Sequence, residues 1–226
     1  MNLAFEFAPF ICFGSVVAFV VVAAGLAYYM NLRRRKEVQE TAQLMGFDWF
    51  DQAPALATAP FADFELFTRG HSHAVSNVMR GQIGGQNVLI FDYRYTTGSG
   101  KNRSSHSQTV VGIVGGGGKL PDFTLSPESF LDRILEAFGY QDLDFDEDPE
   151  FSKCFLLRGK DVERIREVFG PEVREHLLNH RGISVEKRGD SMIVYRWNRL
   201  CAPKLLPEFA AEAVRLCAFL NSSARP

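Results

Sequence analysis

Cysteine is scarce in this chain. The four residues, Cys12, Cys154, Cys201 and Cys217, are isolated, with no C-x-x-C spacing. That excludes a disulfide framework and suits a reducing cytoplasm. Phosphate-binding loops are missing as well. A Walker loop ending at Gly100-Lys101 would need Gly where Tyr95 stands and Ser or Thr where Asn102 stands. One ending at Gly118-Lys119 meets Ile113 and Leu120 instead. There is no G-x-S-x-G elbow, no Cys-His nucleophile signature and no dinucleotide fingerprint. An excess of positive charge is absent from the bulk of the chain. Residues 37–226 carry 21 basic and 26 acidic side chains, a balance of −5, which argues against a nucleic-acid footprint.

Metal-ligand patterns fall short in the same way. His176 and His180 are one helical turn apart, but Leu177 occupies the place of a zincin glutamate. His71 and His73 would share one side of a strand, with no third ligand nearby. The acidic run Asp142 to Glu150 has Glu147 and Lys153 where a calcium loop needs Gly and Glu. Leu143 and Phe145 interleave with the acids, so the run reads as a solvated strand edge. The sequence therefore predicts no metal and no cofactor.

What is present is a long uncharged stretch at the front. Phe7 to Met30 holds 24 residues without a charge, and Arg33-Arg34-Arg35-Lys36 follows. As a helix the stretch spans about 36 Å, enough for a hydrocarbon core of about 30 Å with some tilt. Tyr28 and Tyr29 fall where an aromatic belt meets headgroups. Only Glu6 is charged ahead of the run. The positive-inside rule then puts the N-terminus outside and everything from Arg33 onward in the cytoplasm of an inner (plasma) membrane. The length of the run and its acidic front disfavour a cleaved signal peptide. The tetrad reads first as a topology determinant and second as a sensor of anionic lipid. Gly14 and Ala18 make a small-xxx-small pair that would allow two anchors to pack as a homodimer.

The expected organisation is a tail at 1–6, a transmembrane helix at 7–31, a juxtamembrane helix and linker at 32–60, and a domain at 61–222. Val38, Ala42 and Met45 share one face of the juxtamembrane helix, and Gly46 stops it. DQAPALATAP at 51–60 reads as an Ala/Pro linker. Phe64 to Thr68 and Ala74 to Ile83 look extended, and Gly84-Gly85 signals a hairpin. Val88 to Tyr95 alternates, with Leu89, Phe91, Tyr93 and Tyr95 on one face and Asp92 and Arg94 on the other. A polar loop at 96–105 returns the chain into Gln108 to Val114, and Asp122 to Leu125 is a short strand. Ser126-Pro127-Glu128 reads as a helix start for an apolar stripe from Phe130 to Phe138. Phe151 to Leu157 reads as a buried strand. Two helices follow, one opened by Asp161 and one after Gly170-Pro171. Ile183 to Glu186 and Met192 to Trp197 form a hairpin around Gly189-Asp190, and Pro207 to Leu220 is a closing helix. The fold class is α+β: an antiparallel sheet, meander plus C-terminal hairpin, with packed helices behind one transmembrane helix.

Several short blocks, taken in order, carry a resemblance. They are Leu44-Met45-Gly46-Phe47, Phe91 to Tyr95 before GSGK, Gln108-Thr109-Val110, and Leu120 to Phe123 with Ser126-Pro127-Glu128. Asp144-Phe145, Pro149 to Ser152 and the unit from Phe155 to Phe169 complete the set. Over most of residues 44–197 the chain resembles a family of bacterial membrane-tethered proteins of unassigned function. The resemblance implies an anchor and a cytoplasmic α+β domain, and it supplies no catalytic residues to carry over.

Function is read accordingly as a membrane-anchored binding module with an unknown protein partner near the inner leaflet and no nucleic acid. Its candidate partner surface is the 96–105 loop with Lys101, Arg103 and His106, because polar loops on a rigid sheet commonly carry function. One alternative is a membrane-bound enzyme whose site forms only in three dimensions, from Asp92, Arg94 and His106. The other is a lipid-contacting domain of pleckstrin-like shape.

Overall fold

The computed structural model describes residues 4–128 and 141–224, without the side chains of residues 4–17, 54, 56, 141 and 142. It opens with one continuous helix, α1 (Ala4–Met45). The uncharged run and the juxtamembrane segment are thus a single rod. A Schellman turn ends it: Phe47 N–H donates to the Ala42 carbonyl at 2.8 Å and Gly46 N–H to Gln43 at 3.1 Å. Gly46 sits at φ +69, a left-handed conformation that glycine adopts without a Cβ clash. Val38 and Ala42 are buried and Met45 packs beside them, on the face their spacing indicates. Among the described residues no helix is long and apolar enough to cross a membrane. The apolar run itself begins at Phe7, ahead of the described side chains.

Nine strands among the described residues form one sheet, and every neighbouring pair is antiparallel. In chain order they are β1 (Asp48–Phe50), β2 (His71–Ile83), β3 (Gln86–Thr97), β4 (Ser104–Val114), β5 (Phe123–Pro127), β6 (Gln141–Asp142), β7 (Phe155–Gly159), β8 (Ser184–Arg188) and β9 (Ser191–Tyr195). Their order across the sheet is β1-β2-β3-β4-β9-β8-β5-β7-β6. The meander β1–β4 is one half, and the C-terminal hairpin β8–β9 joins it to β5, β7 and β6. The α+β class and the meander-plus-hairpin plan hold.

The two faces of the sheet differ. On one, Val88, Ile90, Val111, Ile113, Met192, Val194, Val185, Phe123, Leu125 and Leu157 form a continuous apolar layer. The second half of α1 covers it together with α7 (Leu206–Ser223), whose Phe209, Ala213, Leu216, Cys217 and Leu220 face inward at helical spacing. Ile165 and Val168 of α5 (Val162–Val168) and Val173 and Leu177 of α6 (Pro171–Asn179) extend the layer. Asp161 caps α5 by accepting from Arg164 N–H, as its position before the apolar stripe indicates. On the other face, Leu89, Phe91, Tyr93, Tyr95, Val110, Ile193 and Tyr195 form a second core.

That second core corrects two expectations. The 51–60 stretch is not a linker. It forms α2 (Pro54–Thr58) and a 3-10 turn (Ala59–Phe61), and Ala57 and Phe61 are fully buried on the sheet. Alanine-rich chain with Pro in the first turn suits a tight helix against a flat surface. Phe64 to Thr68 is likewise not extended. Glu65–Thr68 is one helical turn, α3, whose Leu66 plugs the same core. Two corrections fall in the second half. Ser126 and Pro127 end β5, paired with Leu156 and Phe155, rather than opening a helix. The predicted helix from Phe130 to Phe138 lies outside the described residues. Residues 151–154 belong to α4 (Pro149–Cys154), capped by Asp148, and the strand begins only at Phe155. An aspartate followed by Pro-Glu is a helix N-terminus, and that local signal outweighs the apolar run behind it.

Candidate functional site

The basic tetrad is divided by the fold. Arg34 leaves it and turns onto the sheet. Its Nε and Nη2 donate to the two carboxylate oxygens of Asp92, each at 2.8 Å, and Nη1 donates to the Cys201 carbonyl at 2.9 Å. Asp92 also accepts from Asn77 Nδ2 at 2.9 Å and Thr109 Oγ1 at 2.8 Å. The Arg34 and Asp92 side chains are 17% and 10% exposed. Burial opposes the Arg34 charge, but the hydrogen bond and charge of Asp92 outweigh it and hold the guanidinium above its ordinary basicity. Arg34 is therefore not a free membrane-interface cation; it clasps α1 to β3. The other three basic residues stay outside. Arg33 pairs with Glu37 at 2.8 Å, Arg35 with Asp51 at 3.0 Å, and Lys36 reaches Glu40 at 3.9 Å. Tyr28 and Tyr29 are exposed on α1, as are Phe19, Val20, Val21, Val22, Leu26 and Met30.

The candidate loop shrinks to a hairpin tip. β3 and β4 stay paired out to Thr97 and Ser104, and a 3-10 turn (Gly100–Asn102) closes the end. Lys101 and Arg103 are exposed there. His106 is not part of that surface. It is 5% exposed, lies opposite Tyr95 in register, and stacks between the Tyr95 and Trp197 rings, each 5.0 Å away. Its Nε2 pairs with Thr97 Oγ1 at 2.8 Å.

The same register takes apart the candidate catalytic group. Asp92 and Arg94 are on the α1 face, whereas His106 follows Tyr95 onto the other face. The three side chains do not converge. Among the described residues no group of three or more His, Cys, Asp and Glu could hold a metal ion. His176 and His180 stack at 4.3 Å, and His180 Nδ1 bonds the His176 carbonyl at 2.7 Å. His71 and His73 bond the carbonyls of Gly98 and Arg69.

One buried ionic cluster went unread in the sequence. On the face opposite α1, the β8 and β5 part of the sheet is polar: Glu186, Ser184, Thr124 and Ser126 all point there and are at most 1% exposed. Glu186 accepts the backbone N–H of Glu65 at 2.7 Å and of Leu66 at 3.1 Å, and the Tyr195 hydroxyl at 2.9 Å. Burial pushes its carboxyl up, with Arg69 and the Tyr195 hydrogen bond pulling against that rise. Glu65 accepts from Arg69 at 2.8 Å and from Arg158 at 3.1 Å. Burial would raise its pKa, but the two guanidiniums prevail and hold it below the ordinary carboxylate value. The cluster fastens the 61–69 segment over the second core, so every charge in it has a structural task. A glutamate between valine and lysine in a short strand gives no signal of this role. Asp92 does give one: from Leu66 through Pro121 it is the sole acidic residue.

A shallow groove lies at the far end of the meander, between Gly84, the Gly115–Gly118 turn and α7. Its Cys217 and Asn221 side chains are already bonded. Cys217 Sγ donates to the Gly116 carbonyl at 3.1 Å, and Asn221 Nδ2 donates to the same oxygen at 2.9 Å. Burial pushes the Cys217 thiol up to about 11, which leaves it protonated and a poor nucleophile at neutral pH.

No family model matches the chain, and no curated protein matches it. Among solved structures, the fold is similar to the crystal structure of the mycobacterial trehalose monomycolate transport factor A, TtfA. The TM-score is 0.60 at 14% identity, over 86% of this chain and 96% of that one. At that identity the likeness is one of fold.

Proposed function

We propose that this chain is a single-pass membrane protein whose α+β domain is held rigidly at the cytoplasmic face and binds a protein partner there. The observation that carries the reading is the Arg34–Asp92 clasp on a helix that is continuous with the uncharged run. A domain on a flexible tether would not need its tether inserted into its own core. The exposed apolar side chains from Phe19 to Met30 have no protein surface against them among the described residues, as expected of residues that face lipid. Basic residues just after the run support a cytoplasmic position for the domain. The membrane-tethered family resemblance supports the same arrangement. The neighbour of shared fold is named for trehalose monomycolate transport. A membrane transport complex is therefore the first class of partner to test, with no cargo carried over.

The test is alkaline carbonate extraction of membranes, followed by protease digestion of inside-out and right-side-out vesicles. The chain is expected in the carbonate-resistant pellet, with its domain digested only in inside-out vesicles. Release by carbonate would remove the anchor from the reading, and digestion in right-side-out vesicles would reverse the orientation.

A further inference from the structure

We propose that the β3–β4 hairpin is a second membrane contact, its tip resting on anionic lipid headgroups of the leaflet from which α1 emerges. The inference rests on the membrane reading of α1.

The clasp fixes the geometry. Arg34 is held at Asp92 and Thr109, and further along the chain the Phe47 ring packs on Gly81, which pairs with Val88. From its clasp to its end, α1 therefore passes from the middle of β3 toward the start of β3. Followed the other way, toward the uncharged run, it heads in the direction of Thr97, Ser104 and the hairpin tip. Thr97 is five residues beyond Asp92, about 17 Å along a strand. Met30, the end of the uncharged run, is four helical residues before Arg34, only about 6 Å. An oblique crossing shortens the strand's projection but does not bring the tip back to the level of Arg34. The tip thus reaches the layer where the helix becomes apolar.

Charge points the same way. From Leu66 to Pro121 the chain has six Lys and Arg residues; Arg69 and Arg80 pair with Glu65 and Asp48, and Lys119 follows the turn at the opposite end of the meander, which leaves Arg94, Lys101 and Arg103, while Arg34 neutralises Asp92. The remainder of residues 37–226 carries all the acidic excess. Arg94 is on the α1 face and Lys101 and Arg103 are at the tip; all three are exposed and make no ion pair among the described residues. The domain is acidic overall and basic toward the bilayer, a polarity that its net charge conceals. The tip is also stiff. Strand pairing continues to Thr97 and Ser104, and Gly98 at φ +71 packs against the Asn102 carbonyl, where a Cβ would clash. It carries no apolar side chain, so it rests on headgroups and does not insert.

The test uses the full chain in phosphatidylcholine nanodiscs with and without phosphatidylglycerol. A benzophenone amino acid replaces Ser99 at the tip or, as a control, exposed Asn87 at the opposite end of the meander. Position 99 is expected to crosslink to lipid, several-fold more with phosphatidylglycerol, and position 87 not at all. Lys101→Glu with Arg103→Glu is expected to abolish the dependence on phosphatidylglycerol. Seven residues inserted after Asn31 keep the helix face but add about 10 Å, and should remove the adduct from a chain still held in the disc. No lipid adduct at 99, an adduct to protein, or a yield indifferent to phosphatidylglycerol overturns the hairpin contact and leaves the anchor standing. A chain that the disc does not retain overturns both.

Discussion

Arg34 and Asp92, 58 positions apart, share two hydrogen bonds of 2.8 Å in a mostly buried ion pair. The pair joins the helix that leaves the domain to β3, the third of the four meander strands. Breaking a buried pair by removing one partner costs about 3–5 kcal/mol, because the other charge is stranded. Asp92 keeps Asn77 and Thr109 as donors, so the lower end applies here. Arg34→Ala is expected to destabilise the detergent-solubilised chain by about 3 kcal/mol in urea unfolding. Arg34→Lys should recover part of that, since one ammonium cannot make the two-pronged contact. The double variant Arg34→Met, Asp92→Leu should be closer to wild type than either single change. Additive losses in the double variant would show that the pair is not coupled.

Much of this fold is legible from periodicity. Val38 and Ala42, the alternation from Leu89 to Tyr95, and the α7 stripe all face where their spacing indicates. The failures come from proline signals read against their context. At 51–60 and 149–154 a proline starts a helix inside an apolar stretch, whereas at Ser126-Pro127 the same kind of signal ends a strand. Ala53-Pro54 and Asp148-Pro149 start helices inside stretches that hydrophobicity alone reads as linker or strand. The site was less legible than the fold. Arg34 looks like its three basic neighbours until the helix phase relative to Val38 is considered. Four residues apart, the two lie on one face, and that face is the one that packs.

The packing of the 51–68 segment is directly testable at Gly112. A Cβ there would run into the Phe61 ring. Gly112→Ala should cost about 1–3 kcal/mol through overpacking, and Phe61→Ala about 3–5 kcal/mol through the cavity it leaves. Limited proteolysis should cut Phe61→Ala first between residues 51 and 68. An unchanged cleavage pattern would mean the segment is not held by that ring.

The buried carboxylates Glu65 and Glu186 should give opposite pH signatures. The Glu65 pKa is lowered in the folded chain, because Arg69 and Arg158 outweigh its burial. Its contribution is therefore present above the unfolded carboxylate pKa of about 4.5 and is lost as pH falls through the lower folded value. The Glu186 pKa is raised, chiefly by burial. The folded state then holds its proton longer than the unfolded state, and stability declines as pH rises from about 4.5 to the folded value. Melting temperatures of wild type, Glu65→Gln and Glu186→Gln across pH 3–8 check both signs. The advantage of wild type over Glu65→Gln should grow with pH, and its advantage over Glu186→Gln should shrink. Parallel curves would refute the assignment.

Cysteine reactivity separates loss of the clasp from loss of the fold. Cys201 is half-buried, and its carbonyl accepts from Arg34 while its N–H donates to Thr109 Oγ1 at 3.0 Å. Burial raises the Cys201 thiol pKa, more than Arg196 and Arg34 lower it, so little thiolate forms at neutral pH. Cys217 lies on α7, where its thiol is buried against Gly116. Arg34→Ala removes one of the bonds that hold residue 201 but none of those around 217. Mass-resolved alkylation at pH 7.5 should show Cys201 modified several-fold faster in the variant, with Cys217 as slow as in wild type. Equal acceleration at both would indicate global unfolding, and no acceleration at either would mean that the 199–203 segment is held without Arg34. Faster modification of Cys201 alone makes the clasp a local latch: the 199–203 segment would loosen beside residue 34 while the cores on both faces, Val38 and Ala42 of α1 included, stay closed.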